Sequence, residues 1–450
     1  MRYGRRASLL SFAAAMALGV ALAGCAPAPT DDDDLVIELR PDHAPQQAQR
    51  TRSLAETPFG QSVATAVQSY PTLAAGFARI RAAEAQLEGE RGAFLPQISV
   101  GAETGMRHAG NTRSTRSTPV LEIRQLVFDG GQSGQRTEAA RARIAQSAND
   151  RMASAAALTL NAVEAWHDVL HHRALVDLAA RNMRLHTEFL GQTQDRVGAG
   201  AGAETDLLTA RSRLADAEAR QITAQSKLDR AEAEFRQMFA RAPGNLPAPA
   251  AAPELPGSAD TIAPDSPRLR SVDASIRAAQ AELQAARAGS LPNVGLGVTG
   301  RSTNGRADVG ANLSLQYDLA TGGRRKAAIR TAEARVMELE AERDDLNRQI
   351  TRALDFVQSD QRAGAQRLRA ARQARSANEA NVDAVRDQFG IGRRSITELL
   401  DAQRDFIRSS EAVLEAELEL ALTGYLALSL TGDILDVFGI HLPPPEAARR

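Results

Sequence analysis

The sequence predicts a mostly α-helical fold with a β-hairpin in each half, one helix–hairpin–long helix–helix unit written twice. Three observations predict it: motifs that recur across the two halves, two long helical runs free of proline, and segments between them where apolar and polar residues alternate. Composition agrees. Aromatic residues make up only 4% of the chain, while alanine, arginine and leucine dominate. Such a chain makes the thin core of long packed helices rather than that of a compact enzyme. A formal net charge of -1 gives no footprint for a nucleic-acid partner.

The elements follow in order. Arg2, Arg5 and Arg6 precede an uncharged apolar run from Leu9 to Ala23, the pattern of an export signal, so residues 1–24 are set aside as a lipoprotein signal peptide. The run ends in Leu22-Ala23-Gly24-Cys25, which resembles the lipobox of bacterial lipoproteins, and Cys25 is assigned as the lipidation site. Cys25 is the single cysteine, so no disulfide forms within the chain. A covalent lipid there is the only non-protein group expected, and it anchors without spanning. Residues 25–58, with Asp31 to Asp34, read as a solvated tether. Past the signal, no segment approaches the ~20 continuous apolar residues of a membrane helix.

The first repeat covers residues 59–246. Its first helix runs from about Phe59 to Phe94 and stops at Leu95-Pro96, because proline disfavours a helical predecessor. Strands follow at about 97–107 and 118–128, then a helical run from Gln132 to about Val197. A Pro/Ala-rich linker, 247–262, joins it to the second repeat, 263–432, whose strands fall at about 293–301 and 308–319. There Val309, Ala311, Leu313, Leu315 and Tyr317 alternate with Gly310, Asn312, Ser314, Gln316 and Asp318, a clean period of two. The long helix from Arg324 to about Phe389 keeps Val336, Leu339, Leu346 and Ile350 at near coiled-coil spacing. Each long run reaches on the order of 100 Å at ~1.5 Å per residue. Residues 433–450 are a C-terminal tail.

The duplication is specific. Ala78-Arg79-Ile80-Arg81-Ala82-Ala83 recurs as Ala274-Ser275-Ile276-Arg277-Ala278-Ala279, and Leu95-Pro96 as Leu291-Pro292. Gly130-Gly131 answers Gly322-Gly323, and Gly198-x-Gly200 answers Gly390-x-Gly392. Four strands cannot close a barrel, since the smallest membrane barrels have about eight. Open edges in lipid leave backbone groups unpaired. If these are membrane strands the chain must oligomerise, and two or three copies both supply enough strands.

The chain resembles the TolC-type outer-membrane efflux and secretion channels, as a lipidated member. The matching residues are Phe94-Leu95-Pro96-Gln97 and Leu291-Pro292 before the hairpins, and Leu126-Val127-Phe128-Asp129-Gly130-Gly131 after the first. At the helical turns they are Arg196-Val197-Gly198-x-Gly200 and Phe389-Gly390-Ile391-Gly392 with Thr397-Glu398-Leu399-Leu400-Asp401-Ala402. The resemblance implies a homotrimer: a twelve-stranded barrel in the outer membrane, continued by a long α-helical barrel through the periplasm. It implies a passive exit duct for a tripartite efflux or type I secretion system. Its partners would be a periplasmic adaptor (membrane fusion protein), an inner-membrane pump of RND or ABC type, and outer-membrane lipid.

It also implies site residues. Asp401 and Glu398, three apart on one helix face, would line a periplasmic gate, although Ser395-x-x-Glu398 is equally a capping box. Arg394 would tie the second turn to Asp206 in the first. His167, His171 and His172 read as packed or exposed histidines rather than metal ligands, lacking a third ligand or an HExxH glutamate. No catalytic or metal constellation is legible. The alternative function is a periplasmic coiled-coil adaptor or scaffold lipoprotein without a pore. Such a chain would carry one helical hairpin, not strand pairs between long helices in both halves.

Overall fold

The computed structural model describes residues 54–109, 112–254, 257–303 and 306–442. Cys25, the signal segment 1–24, nearly all of the tether and the tail from 443 onward lie outside the described residues.

The first helical segment is two helices, α1 (Pro58–Gln68) and α2 (Pro71–Arg91), not one. Pro71 forces Tyr70 into the extended region (φ -74°, ψ 132°) and ends the preceding helix. The same rule that places a stop at Leu95-Pro96 operates here, so the continuous helix expected from Phe59 to Phe94 is corrected. Each half then carries a hairpin, a helix of 67 residues and a helix of 36: α3 (Gln132–Gly198) and α4 (Glu204–Phe239) in the first, α6 (Arg324–Gly390) and α7 (Ile396–Thr431) in the second. The second half opens with α5 (Pro267–Ala288), the counterpart of α2.

The hairpins join into one antiparallel sheet in the order β1 (Gln97–Ala109), β2 (Thr112–Phe128), β3 (Asn293–Thr303), β4 (Arg306–Gln316). The first hairpin is longer than its alternation suggests. Backbone pairing continues through His108↔Arg113 and Ala109↔Thr112, beyond the last apolar position that marks a face. In contrast, β4 ends earlier than expected. Arg325 of α6 donates to the Asp318 carbonyl at 2.8 Å and stacks over the Tyr317 ring at 5.5 Å, turning the chain out of the sheet.

Sheet and helices meet at the paired glycines. Gly130 (φ 71°) and Gly131 (φ 88°) sit in the left-handed region, which a side chain strains. A Cβ on Gly130 would also stand 2.7 Å from Leu291 of the second half, so this turn closes only with glycine. Asp129 then accepts from the backbone N–H of Gly131 (3.0 Å) and Ser133 (2.7 Å), capping α3.

The main core brings aromatic residues of both halves together. Phe59, Trp166, Phe235, Phe239, Tyr425 and Phe438 form one buried cluster, with Phe59–Trp166 centroids 5.2 Å apart and Phe235–Phe239 stacked at 4.2 Å. The start of the linker is held against this cluster. Trp166 Nε1 donates to the Pro247 carbonyl at 3.2 Å, and the Tyr425 hydroxyl donates to that of Ala250 at 2.6 Å. Elsewhere the core is thin. Near the sheet it is mostly Ile80, Ala83 and Leu87 of α2 against Ala140, Ile144 and Ala148 of α3. At the far end it is Phe189 with Phe389, Ile396, Leu399 and Leu400.

Candidate functional site: an outward sheet and a helical tip

The sheet has one apolar and one polar face. Cross-strand partners share a face, and the register lines up Ile98, Ile123, Val298 and Ala311 in one row and Val100, Leu121, Gly300 and Val309 in the next apolar row. The row between them is Ser99, Glu122, Thr299 and Gly310, and the row on the other side of Ile98 is Gln97, Arg124, Gly297 and Asn312. The apolar face is uncovered in the single chain: Val100 is 80% exposed and Leu313 and Leu315 are each 71% exposed. A contiguous apolar surface of this kind marks contact with lipid or protein. No helix among the described residues is long and apolar enough to cross a membrane.

The polar face carries charges in pairs. Glu122 and Arg124 form a two-bond pair at 2.7 and 2.8 Å, and Glu103 lies 3.9 Å from Arg301. At either side of the sheet, β1 and β4 each have one unpaired edge. In a four-stranded meander those two edges run antiparallel, so β4 of one copy presents the right direction to β1 of another.

At the other end of the molecule are the two interhelical turns, closed alike by Gly200 (φ 74°) and Gly392 (φ 75°). Their chemistry differs. In the second turn the Ser395 side chain accepts from the Glu398 N–H and Glu398 reaches back to the Ser395 N–H at 2.9 Å, a complete capping box. Arg394 donates to Glu398 and, at 3.1 Å, to Gln388. The hydrogen bond from the Ser395 backbone, then those from Arg394 and the Ser395 hydroxyl, hold the Glu398 carboxyl down at about 2. Asp401 faces Arg404 at 3.1 Å. Both expected gate acids are therefore members of charge pairs within the chain.

Arg394 makes no bond to Asp206, which opens α4 beside Glu204 and forms no ion pair among the described residues. The link between turns is made by Arg196. It donates to the Phe389 carbonyl at 3.2 Å and lies 4.8 Å over the Phe389 ring. Sequence reading quoted Arg196 only as a motif residue, because nothing local tells which carbonyl an arginine will reach across 193 positions. Arg404 was missed too, although its spacing of three from Asp401 was the available signal.

The histidines pack on α3. His167 Nδ1 donates to the Val163 carbonyl (2.8 Å), and the His171 and His172 rings meet at 5.1 Å beside Glu415. Burial lowers the pKa of all three. Among the described residues no group of His, Cys, Asp and Glu has the arrangement to hold a metal ion.

Comparison with known proteins agrees with this geometry. The chain is 26% identical over 398 residues to the outer membrane efflux protein BepC of Brucella suis, covering 84% of this chain and 86% of that one. It is 22% identical to the outer membrane protein TolC of Escherichia coli, over 77% and 76% of the two chains. The alkaline protease secretion protein AprF of Pseudomonas aeruginosa is 25% identical over 63% of each. The solved structure of CusC superposes with a TM-score of 0.78 at 15% identity, covering 85% of this chain and 94% of that one. That of VceC from Vibrio cholerae gives 0.76 at 14%, over 86% and 98%. The outer membrane efflux protein family matches residues 63–241 and 260–424, most of the described helices and both hairpins, and the chain belongs to that family.

Proposed function

We propose that this chain is the exit duct of a tripartite efflux or type I secretion system, a passive conduit through the outer membrane and across the periplasm. The observation that carries the reading is the sheet: four antiparallel strands, one uncovered apolar face, two free edges of matching direction, mounted on 67-residue helices. Three copies joined edge to edge give an even-stranded barrel with lipid-facing apolar rows and a polar lumen. Cys25 carries a lipid that fixes the mature N-terminus to the outer membrane. At the periplasmic end, Glu398 with Arg394 and Asp401 with Arg404 line the gate, and Asp206 is available to the Arg394 of an adjoining copy. The tip docks on a periplasmic adaptor that serves an RND or ABC pump in the inner membrane.

Two measurements on the membrane-extracted protein test this reading. Unheated protein should run on gels at three times the chain mass and collapse to the chain on boiling, and radiolabelled fatty acid should label wild type but not Cys25→Ser. A monomer in both heated and unheated samples refutes the conduit. Label that persists in Cys25→Ser removes the anchor alone.

A further inference from the structure

We propose that a cleft between α3, α4 and α7, roughly 20 Å along α3 from the tip, binds a phosphate-type oxyanion that still carries one proton. The cleft has a volume of about 50 Å³ and is lined by Asn182 and His186 of α3, Arg213, Asp216 and Arg220 of α4, and Arg404 of α7. Three guanidinium groups thus converge on a cavity that holds one carboxylate. Asp216 meets Arg213 only at 3.8 Å, and Arg404 is turned to Asp401 (3.1 Å) and Asp405 (3.7 Å) on its own helix. Arg220 forms no ion pair among the described residues.

The floor of the cleft holds two buried polar side chains with unpartnered atoms. Asn182 is 6% exposed and His186 8% exposed, yet Asn182 Oδ1 and His186 Nδ1 have no hydrogen-bond partner. Buried polar atoms are rarely left so, because the loss of water is uncompensated. The donors and acceptors define the missing group. Guanidiniums require acceptor oxygens, whereas Asn182 Oδ1 requires a donor. Hydrogen phosphate supplies both, as does a phosphate monoester in its singly protonated form. Chloride and an ionised carboxylate supply no donor. The surrounding field fits an anion: burial lowers the His186 pKa first, and Arg213 and Arg220 lower it further. Because the cleft joins the first-half hairpin to α7 of the second, an occupant would also draw Arg404 away from Asp401. The inference stands apart from the transport reading and survives its failure.

Calorimetric titration of inorganic phosphate into the purified full-length protein tests it, with sodium chloride at equal ionic strength as the reference. Wild type should bind phosphate saturably. Arg220→Gln, a change at an exposed side chain that leaves the fold intact, should weaken binding at least tenfold, and Arg220→Lys should restore part of it. Glycerol phosphate binding as well as phosphate assigns the site to ester headgroups; phosphate binding alone assigns it to the free ion. Equal heats for phosphate and chloride, or undiminished binding in Arg220→Gln, overturn the proposal. So does an Arg220→Gln protein whose copies separate with no dependence on anion, which gives the cleft to a carboxylate of a second copy.

Discussion

The two halves are equal in length where they must match and different in chemistry where they need not. Both carry helices of 67 and 36 residues, so the two turns fall at one level. Their strands are unequal, 13 and 17 residues in the first half against 11 and 11 in the second. Their turns diverge further. The second closes on itself through Ser395, Glu398 and Arg394, while the first starts α4 at Ala203 without a side-chain cap and is held by Arg196 reaching Phe389. One turn is rigid by its own bonds and the other leans on it. Duplication fixed the geometry of the tip, and divergence made one half its support.

The largest expected effect tests whether the halves are equivalent in the sheet. Leu121→Arg in the first half and Leu313→Arg in the second put a charge on the apolar face, and each should cost roughly 2–4 kcal/mol if it sits near the membrane midplane. Asn312→Arg, on the polar face, should assemble normally. The yield of heat-labile oligomer reads all three. A loss in only one half would show that the two hairpins do not share one lipid-facing surface.

A smaller effect separates the turns. Arg196→Ala removes the carbonyl bond and the contact over the Phe389 ring, a loss of about 1–2 kcal/mol. It should increase protease cleavage between Val197 and Ala203. Arg394→Ala removes only contacts within the second turn and should leave the first turn as resistant as in wild type. Equal cleavage of the first turn in both variants would erase the asymmetry.

The smallest effect depends on pH. The Glu398 carboxyl is held at about 2 in the fold, below the ~4.3 of an unperturbed glutamate. A depressed value means that the cap's contribution is fully present above that unperturbed value and is lost as pH falls through about 2. Pepsin should therefore spare the second turn at pH 4 and cut it increasingly toward pH 2. In Glu398→Gln this rise in cleavage should be absent.

Much of this architecture was legible because it is written in periodicity and repetition. Alternation from Val309 to Leu315 gave the apolar face, and the paired glycines and the Leu-Pro motifs gave the ends of the elements. The capping box at Ser395 was legible because its partners are three residues apart. What escaped notice was either long-range or obscured by a strong helical run. The break at Pro71 hid inside an alanine-rich stretch, the β2–β3 pairing joins strands of different halves, and Arg196 finds its carbonyl across 193 positions, where the two turns meet. Asp401 was read as a gate acid from its place on one face with Glu398, and Arg404, one turn on, was not weighed beside it.

That pairing sharpens the decisive measurement, single-channel recording of the purified oligomer in planar bilayers. The account predicts discrete conductance steps from wild type. It predicts steps from Glu398→Ala with Asp401→Ala as well, with selectivity shifted toward anions because Arg394 and Arg404 are left without their carboxylates. Assembled oligomer that conducts nothing would contradict the conduit, and steps of unchanged selectivity would take these four residues out of the ion path.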